Sequence, residues 1–407
     1  MEPVTRLAAC LLVSVRLHRI LFLGFALLTS SVSATNLTLY GIVDTGIATG
    51  HVSRQADAPG GDLSANNTAM TAGVIVGGSR WGIMGSESLS DDWSVHFVLE
   101  EGVMTNDGTL AQGGLGFGRQ STLGLSKANL GLIEFGRQMN LASRYFLSFD
   151  PFHGGTSQLA LGTSMGSANV IRYDNLIQAQ LTPTPHFTAG VSYSFAGKLD
   201  STYQTQDGTI VIQPDDSTLS NNKDVRIWSA GMLYTEGPWT LAAGFDHALV
   251  PASPPAGYLG SGPMAWLAGA QIDLNVTTLS LAFGQGRNGA FSGQLPGAAW
   301  AESGIQTTTV GSDLLFSQGY DHQSVFVGAV VPMGGGLKGF MNWQAMQPQG
   351  NLKSRAGYAT QQVYSGGFIQ NLSPRVSAYV YASQAINYAM ISTAKSSIVG
   401  MGFVVIF

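Results

Sequence analysis

The stretch SSIVGMGFVVIF, Ser396–Phe407, alternates with a period of two. Successive side chains of a strand point to opposite sides. Val399, Met401, Phe403, Val405 and Phe407 therefore share one face, and Ile398, Gly400, Gly402, Val404 and Ile406 share the other. No charged residue follows Lys395. Chain ends of soluble domains are usually frayed and wet, so an apolar run ending on an aromatic residue is unusual there. One face of this segment expects lipid. The rest of the chain decides whether that solvent is general.

Other segments alternate in the same way. In NLTLYGIVDTG, Leu37, Leu39, Gly41 and Val43 oppose Thr38, Tyr40, Ile42 and Asp44. In WSVHFVLEEG, Val95, Phe97 and Leu99 oppose His96 and Glu100. HFTAGVSYSF, TTLSLAFGQ, HQSVFVGAVV and RVSAYVYASQ behave alike, and no capped amphipathic helix stands out.

Composition agrees with a sheet protein in an apolar solvent. Of 407 residues, 11% are charged, against roughly 25% in soluble domains. The 53 glycines suit many turns, and plentiful aromatic and β-branched residues exclude a disordered chain.

Residues 1–34 read as a signal peptide, with Arg6, Arg16 and Arg19 ahead of the apolar run ILFLGFALL and the small residues SVSA at the expected cut. The barrel domain is then 35–407. Cys10 is the only cysteine and falls in the leader. The LAAC ahead of it resembles a lipoprotein box but has no apolar core before it. Removing the leader takes three of 19 basic and one of 24 acidic residues, leaving 16 against 23, a net −7. That balance disfavours nucleic-acid binding. After Ala34 no apolar run reaches the roughly 18 residues of a spanning helix.

Connections sort into short turns (near 86–92, 127–131, 235–238, 273–277, 332–336 and 371–374) and long loops (near 49–70, 139–167, 197–223, 250–263, 286–319 and 347–357). Between them the alternation predicts sixteen strands: 36–48, 71–86, 93–104, 117–126, 131–138, 168–177, 186–196, 224–235, 239–249, 264–273, 276–285, 321–331, 337–346, 358–370, 375–384 and 396–407. An even number of strands with short turns at one rim and long loops at the other is the pattern of a closed antiparallel transmembrane β-barrel. Closure matters because lipid offers no partner for a sheet edge. Sixteen strands also leave room for an aqueous lumen. Trp93, Trp239, Tyr379 and Tyr381 lie beside short turns and fit an interfacial girdle.

Taken together, LTLYGIVDTG, SRWGIMGSESLSDDWSVHFVLEEG, GRQSTLGLSKANLGLIEFGRQ, DPF within a long loop, VIRYDN after it and the terminal Phe407 resemble the trimeric general porins of Gram-negative outer membranes, especially the β-proteobacterial branch. The resemblance spans essentially the whole chain after the leader. It implies a homotrimer of 16-stranded barrels in the outer membrane, each with its third long loop folded inward. Small hydrophilic solutes and ions would diffuse through. It also implies arginines on the wall opposite that loop, here Arg80, Arg119 and Arg172, with Arg137 in the second GRQ.

Parity bears on each of these. Trp81 and Ile83 share the apolar face, so Arg80 points to the lumen. By the same count Ile171 and Tyr173 face lipid, and Arg172 and Asp174 face the lumen. Arg119 has the parity of Leu123 and Leu125, so only a twist at the rim would turn it inward. Arg137 has the parity of Ile133 and Phe135 and suits a rim cap or a subunit contact. The opposing acids are Asp150 in the loop, a turn-former equally well, with Asp174, Glu100 and Asp44 on the wall. Arginine outweighs carboxylate, which predicts a mild anion preference.

Enzyme signals are weak. GGGLKG, Gly334–Gly339, fits a dinucleotide fingerprint but precedes a strand-like segment, not a helix. The histidines lack metal-ligand spacing, and no GxSxG occurs. The sequence calls for no cofactor or metal. A substrate-selective channel and a surface barrel with a closed lumen are the competing functions. Phe407, Val405 and Phe403 resemble the signature read by the outer-membrane assembly machinery. Ile406 and Val404 make the inner face of the same segment apolar, so a cover is expected there, from the N-terminal end of the chain or from a neighbouring subunit.

Overall fold

In a computed structural model the described residues are 36–58, 62–155, 157–197, 201–204, 210–213, 224–291 and 314–407. The predicted leader, 1–34, lies outside them, as does much of the loops 197–223 and 286–319. The strands are β1 Asn36–Arg54, β2 Leu63–Thr71, β3 Arg80–Ser88, β4 Trp93–Gly102, β5 Gln120–Lys127, β6 Gly131–Met139, β7 Arg172–Thr184 and β8 Phe187–Ser194. Next come β9 Ser201–Gln204, β10 Ile210–Gln213, β11 Arg226–Glu236, β12 Trp239–Leu249, β13 Met264–Asp273, β14 Thr278–Arg287, β15 Gly289–Phe291 and β16 Leu314–Ser317. The chain continues through β17 Asp321–Gly334, β18 Leu337–Gln349, β19 Gln361–Asn371, β20 Val376–Ile386 and β21 Lys395–Ile406.

Seventeen strands form one sheet, and β1 pairs antiparallel with β21 to close it. β2 and β3 lie end to end on the same edge of β1, opposite Gly46–Arg54 and Asn36–Ile42 respectively. Together they fill one position, so sixteen positions close the barrel. Closure leaves no unpaired edge for the bilayer to desolvate. The turns after β3, β5, β7, β11, β13, β17 and β19 hold two to four residues and share one rim. The longer connections share the other. Strands β9 and β10, between β8 and β11, and β15 and β16, between β14 and β17, pair as a separate small sheet in which β16 runs parallel to β9.

Outward positions are apolar and exposed: Leu37, Leu39, Met232, Met341, Phe368, Val399, Met401 and Phe403 are examples. Inward positions carry small or polar residues, several of them glycines roofed by a cross-strand ring. A Cβ at Gly400 would collide with Tyr381, and one at Gly402 with Tyr379. The two tyrosines are therefore inward and buried, not girdle residues as their position beside a turn suggested. Trp93 and Trp239 do face outward near the short-turn rim.

At the end of the chain Phe407 exchanges two backbone hydrogen bonds with Gly41, both 3.0 Å. Its ring covers the space a side chain at Gly41 would occupy. Val404 is covered from within the same barrel, in a cluster with Ile42, Tyr379 and Tyr381. Ile406 stays 47% exposed. The cover expected over both residues thus reaches only Val404.

Besides shifts beside the short turns at Leu181/Thr184 and Pro332/Gly334, two departures from regular pairing reset parity near the charged wall. Ile42 faces Arg80, while Gly46 faces Thr71. Four steps on β1 match nine on its partner, so five extra residues leave the sheet between β2 and β3. This breaks the single strand predicted over 71–86. The second departure is a one-residue bulge: Gly136 faces Leu176, but Gln138 faces Tyr173. A bulge of one residue moves every later side chain to the other face.

The long connection between β6 and β7 folds into the lumen. Its helix, Leu141–Phe146, is capped by Asn140, whose side chain accepts from the Ser143 N–H at 3.2 Å. Leu141, Ala142, Tyr145, Phe146, Phe149, Leu161 and Met165 pack on the inward residues Ala242, Leu267, Ala282 and Phe326. Each buried phenylalanine stabilises this docking by roughly 1.5–3 kcal/mol.

Candidate functional site: the charged arc of the inner wall

Glu100, inward on β4, is the hub of the site. Tyr40 donates to its Oε2 at 2.9 Å, and Arg119 Nε donates to its Oε1 at 2.7 Å. Arg80 Nε lies 3.6 Å from Oε2. Arg80 and Glu100 take the inward parity read from the sequence. Arg119 precedes β5 on outward parity, yet its side chain turns inward to Glu100. Its own N–H continues the ladder to the Glu100 carbonyl at 3.1 Å. Phe117, two residues earlier, takes a left-handed φ of 53° where the rim twists.

Further guanidinium donors go to backbone carbonyls. Arg80 Nη1 donates to Val76 O at 2.8 Å and Gly78 O at 2.9 Å. Arg119 Nη1 donates to Gly77 O at 2.8 Å. Arg172 Nε donates to the Arg119 carbonyl at 2.7 Å, and its Nη1 to Val170 O at 2.9 Å. A rigid planar donor fork makes arginine suited to such multiple contacts.

The bulge overturns the parity predicted for Arg172 and Asp174. Tyr173 takes the inward position and donates to Asp246 Oδ1 at 3.3 Å. Arg172 is nevertheless buried beside Arg119. Asp174 forms an ion pair with Arg137, which also donates to Gly118 O at 2.6 Å. That pair ties strand ends together near the long-loop rim. An outward arginine costs least there, because the penalty for a lipid-facing charge falls towards the interface.

Asp150 and Asp44 do not oppose the arginines. Asp150 accepts the N–H groups of Phe152 (3.0 Å), Gly154 (3.0 Å) and Leu161 (3.2 Å), which is its turn-forming role. Burial pushes its carboxyl up, while these donors pull it down. Asp44 is fully buried; it accepts Tyr379 Oη at 2.6 Å and the N–H groups of Val74 and Ile75 at 3.1 and 3.3 Å.

The sequence reading missed a second charged group below the first. Arg144, on the inward loop, donates to Glu134 Oε2 at 3.1 Å and Gln138 Oε1 at 2.9 Å. His96 Nε2 lies 3.4 Å from Glu134. Alternation could have found Glu134, which sits between the outward Ile133 and Phe135. Asp246 was missed too, although it opposes Leu241 and Phe245 on β12. It accepts from Tyr173, Ser229 and Asn140, and so holds the base of the inward loop. Among the described residues no group of His, Cys, Asp and Glu could hold a metal ion.

A closed sixteen-position barrel with an inward loop and a charged inner arc narrows the comparison to one group of proteins. The Gram-negative porin family matches residues 23–387. This chain belongs to that family. An outer membrane porin of Bordetella pertussis is 35% identical over 389 residues, covering 94% of this chain and 96% of that one. Outer membrane porin protein 32 of Delftia acidovorans is 31% identical over 179 residues, 42% of this chain and 46% of that one. Among solved structures, an anion-selective porin from Comamonas acidovorans shares the fold with a TM-score of 0.62 and 21% identity, covering 92% of this chain and all of that one. OmpF of Salmonella typhi does so with a TM-score of 0.58 and 15% identity, covering 91% and 97%. The porin described here is thus a β-barrel channel of the Gram-negative outer membrane.

Proposed function

We propose that this porin passes small hydrophilic solutes and ions by passive diffusion, with a mild preference for anions. One observation carries the preference. Three guanidinium groups, Arg80, Arg119 and Arg172, gather around one inward carboxylate, Glu100. The local excess is positive although the chain is net negative. Fixed charge beside a narrow passage sets ion selectivity. Anion selectivity in the Comamonas acidovorans porin is consistent with this reading.

The active unit is a homotrimer, as for the trimer form known of a Vibrio cholerae relative in fold. Residues 1–34 direct export and are removed. Phe407, Val405 and Phe403, all exposed outward, serve the assembly machinery and the lipid contact. The porin carries out no catalysis and needs no cofactor. The test is the reversal potential of the reconstituted protein across a salt gradient. An anion-directed potential is expected, and a clear cation preference would sink the proposed selectivity.

A further inference from the structure

The five extra residues between β2 and β3 do not bulge towards lipid. Ala72–Ser79 enters the lumen, and four sets of contacts hold it there. Asp44, inward on β1, receives the N–H groups of Val74 and Ile75. Ser79 Oγ donates to the Asp44 carbonyl at 2.7 Å and accepts the Asp44 N–H at 2.9 Å. Val74 and Ile75 are buried in a cluster with Phe152 and Leu159 of the inward loop and with Tyr379, Tyr381, Ile398 and Val404 of the wall. A Cβ at Gly155 would collide with the Val74 carbonyl, so the two inward segments touch.

The other end of the segment covers the arginines. Val76, Gly77 and Gly78 present carbonyls to Arg80 and Arg119. Gly73, Gly77 and Gly78 take φ of 94°, 71° and 93°, a region that side chains disfavour. The chain can therefore turn in and out of the sheet within eight residues. Carbonyl oxygens occupy donors that would otherwise face a passing anion, and the segment takes up space in front of them.

The geometry points to Ala72–Ser79 as a second inward constriction segment, with Asp44 as its positioning residue, which sets how much of the Arg80–Arg119 field permeating anions meet. This inference rests on the channel reading above. Asp44 touches no solute; it acts by holding the segment against the wall.

Two variants test it in planar bilayers. Deleting Val74–Gly78 removes the five extra residues and lets Thr71 and Arg80 join one continuous strand. Asp44→Asn keeps the side-chain shape but weakens the bonds to Val74 and Ile75, and it serves where the deletion does not assemble. Both are expected to raise single-channel conductance, the deletion by about twofold, and to move the reversal potential further towards anions. A purely structural role would lower the yield of assembled barrel without changing either quantity per channel. If assembled variants conduct and select like the wild type, the inference is overturned. A wild type without conductance overturns the channel reading and this one together. A cation-preferring wild type whose variants still gain conductance overturns only the selectivity and leaves the constriction role standing.

Discussion

The inner wall has two unlike arcs. From β12 round to β21 it is apolar or neutral, and the inward loop packs there through Phe146, Phe149, Phe152 and Leu159. From β3 to β7 it carries Arg80, Glu100, Arg119, Glu134, Arg172 and their partners, and the loop reaches it mainly through Arg144. The first arc holds the loop by burial, and the second meets it through charge. A lumen built this way separates the job of fixing the constriction from the job of giving it a sign. The two carboxylates at the seams, Asp44 and Asp246, mark the division. Both are fully buried, each takes a tyrosine hydroxyl, and neither forms an ion pair among the described residues. They tie inward segments to the wall through neutral donors.

Substitutions on each arc should therefore fail differently. Phe149→Ala, on the apolar arc, is expected to cost about 3–5 kcal/mol by leaving a cavity under the loop. Urea unfolding from lipid vesicles measures this, and the per-channel ion preference should change less than for any arginine variant. Arg119→Gln, on the charged arc, should do the reverse. One charge at about 4 Å in a water-like medium is worth about 1 kcal/mol, so the anion-to-cation permeability ratio should fall by up to about fivefold. Stability should fall less, because Glu100 keeps Tyr40 and Arg80. Glu100→Gln is expected to raise the same ratio by a smaller factor, because the lost negative charge is already offset by two cations. If Phe149→Ala altered selectivity as much as Arg119→Gln, the division of labour would be wrong.

The outer face, common to both arcs, supplies the smallest expected effect. Deleting Phe407 uncovers Gly41 and removes two of many ladder bonds. It should lower the amount of assembled trimer in the outer membrane, read on unheated gels, and leave the selectivity of the trimers that form unchanged.

The fold was legible because lipid imposes period two on every strand. Leu37, Leu39, Val399 and Phe403 reveal their face without any knowledge of their neighbours. The site was less legible because parity fails wherever an odd number of residues leaves the ladder. The bulge near Asn175, whose φ is 49°, put Tyr173 inward where Arg172 was expected. The five extra residues ahead of Arg80 hid within an apolar GVIVGG, Gly73–Gly78, that reads as more strand. Asp44 and Asp150 were expected to oppose the arginines, but sequence could not show that backbone N–H groups would claim them. Arg144 carries no alternation signal, since it lies on a loop helix.

The claim that fixed arginine charge gives the lumen its sign is tested most directly by measuring reversal potential at several salt concentrations with the gradient ratio held constant. Screening lengths shrink from about 30 Å at 0.01 M to about 3 Å at 1 M. The anion preference should be largest in dilute salt and fade towards neutrality in concentrated salt. A cation preference in dilute salt, or an anion preference independent of salt, would contradict it.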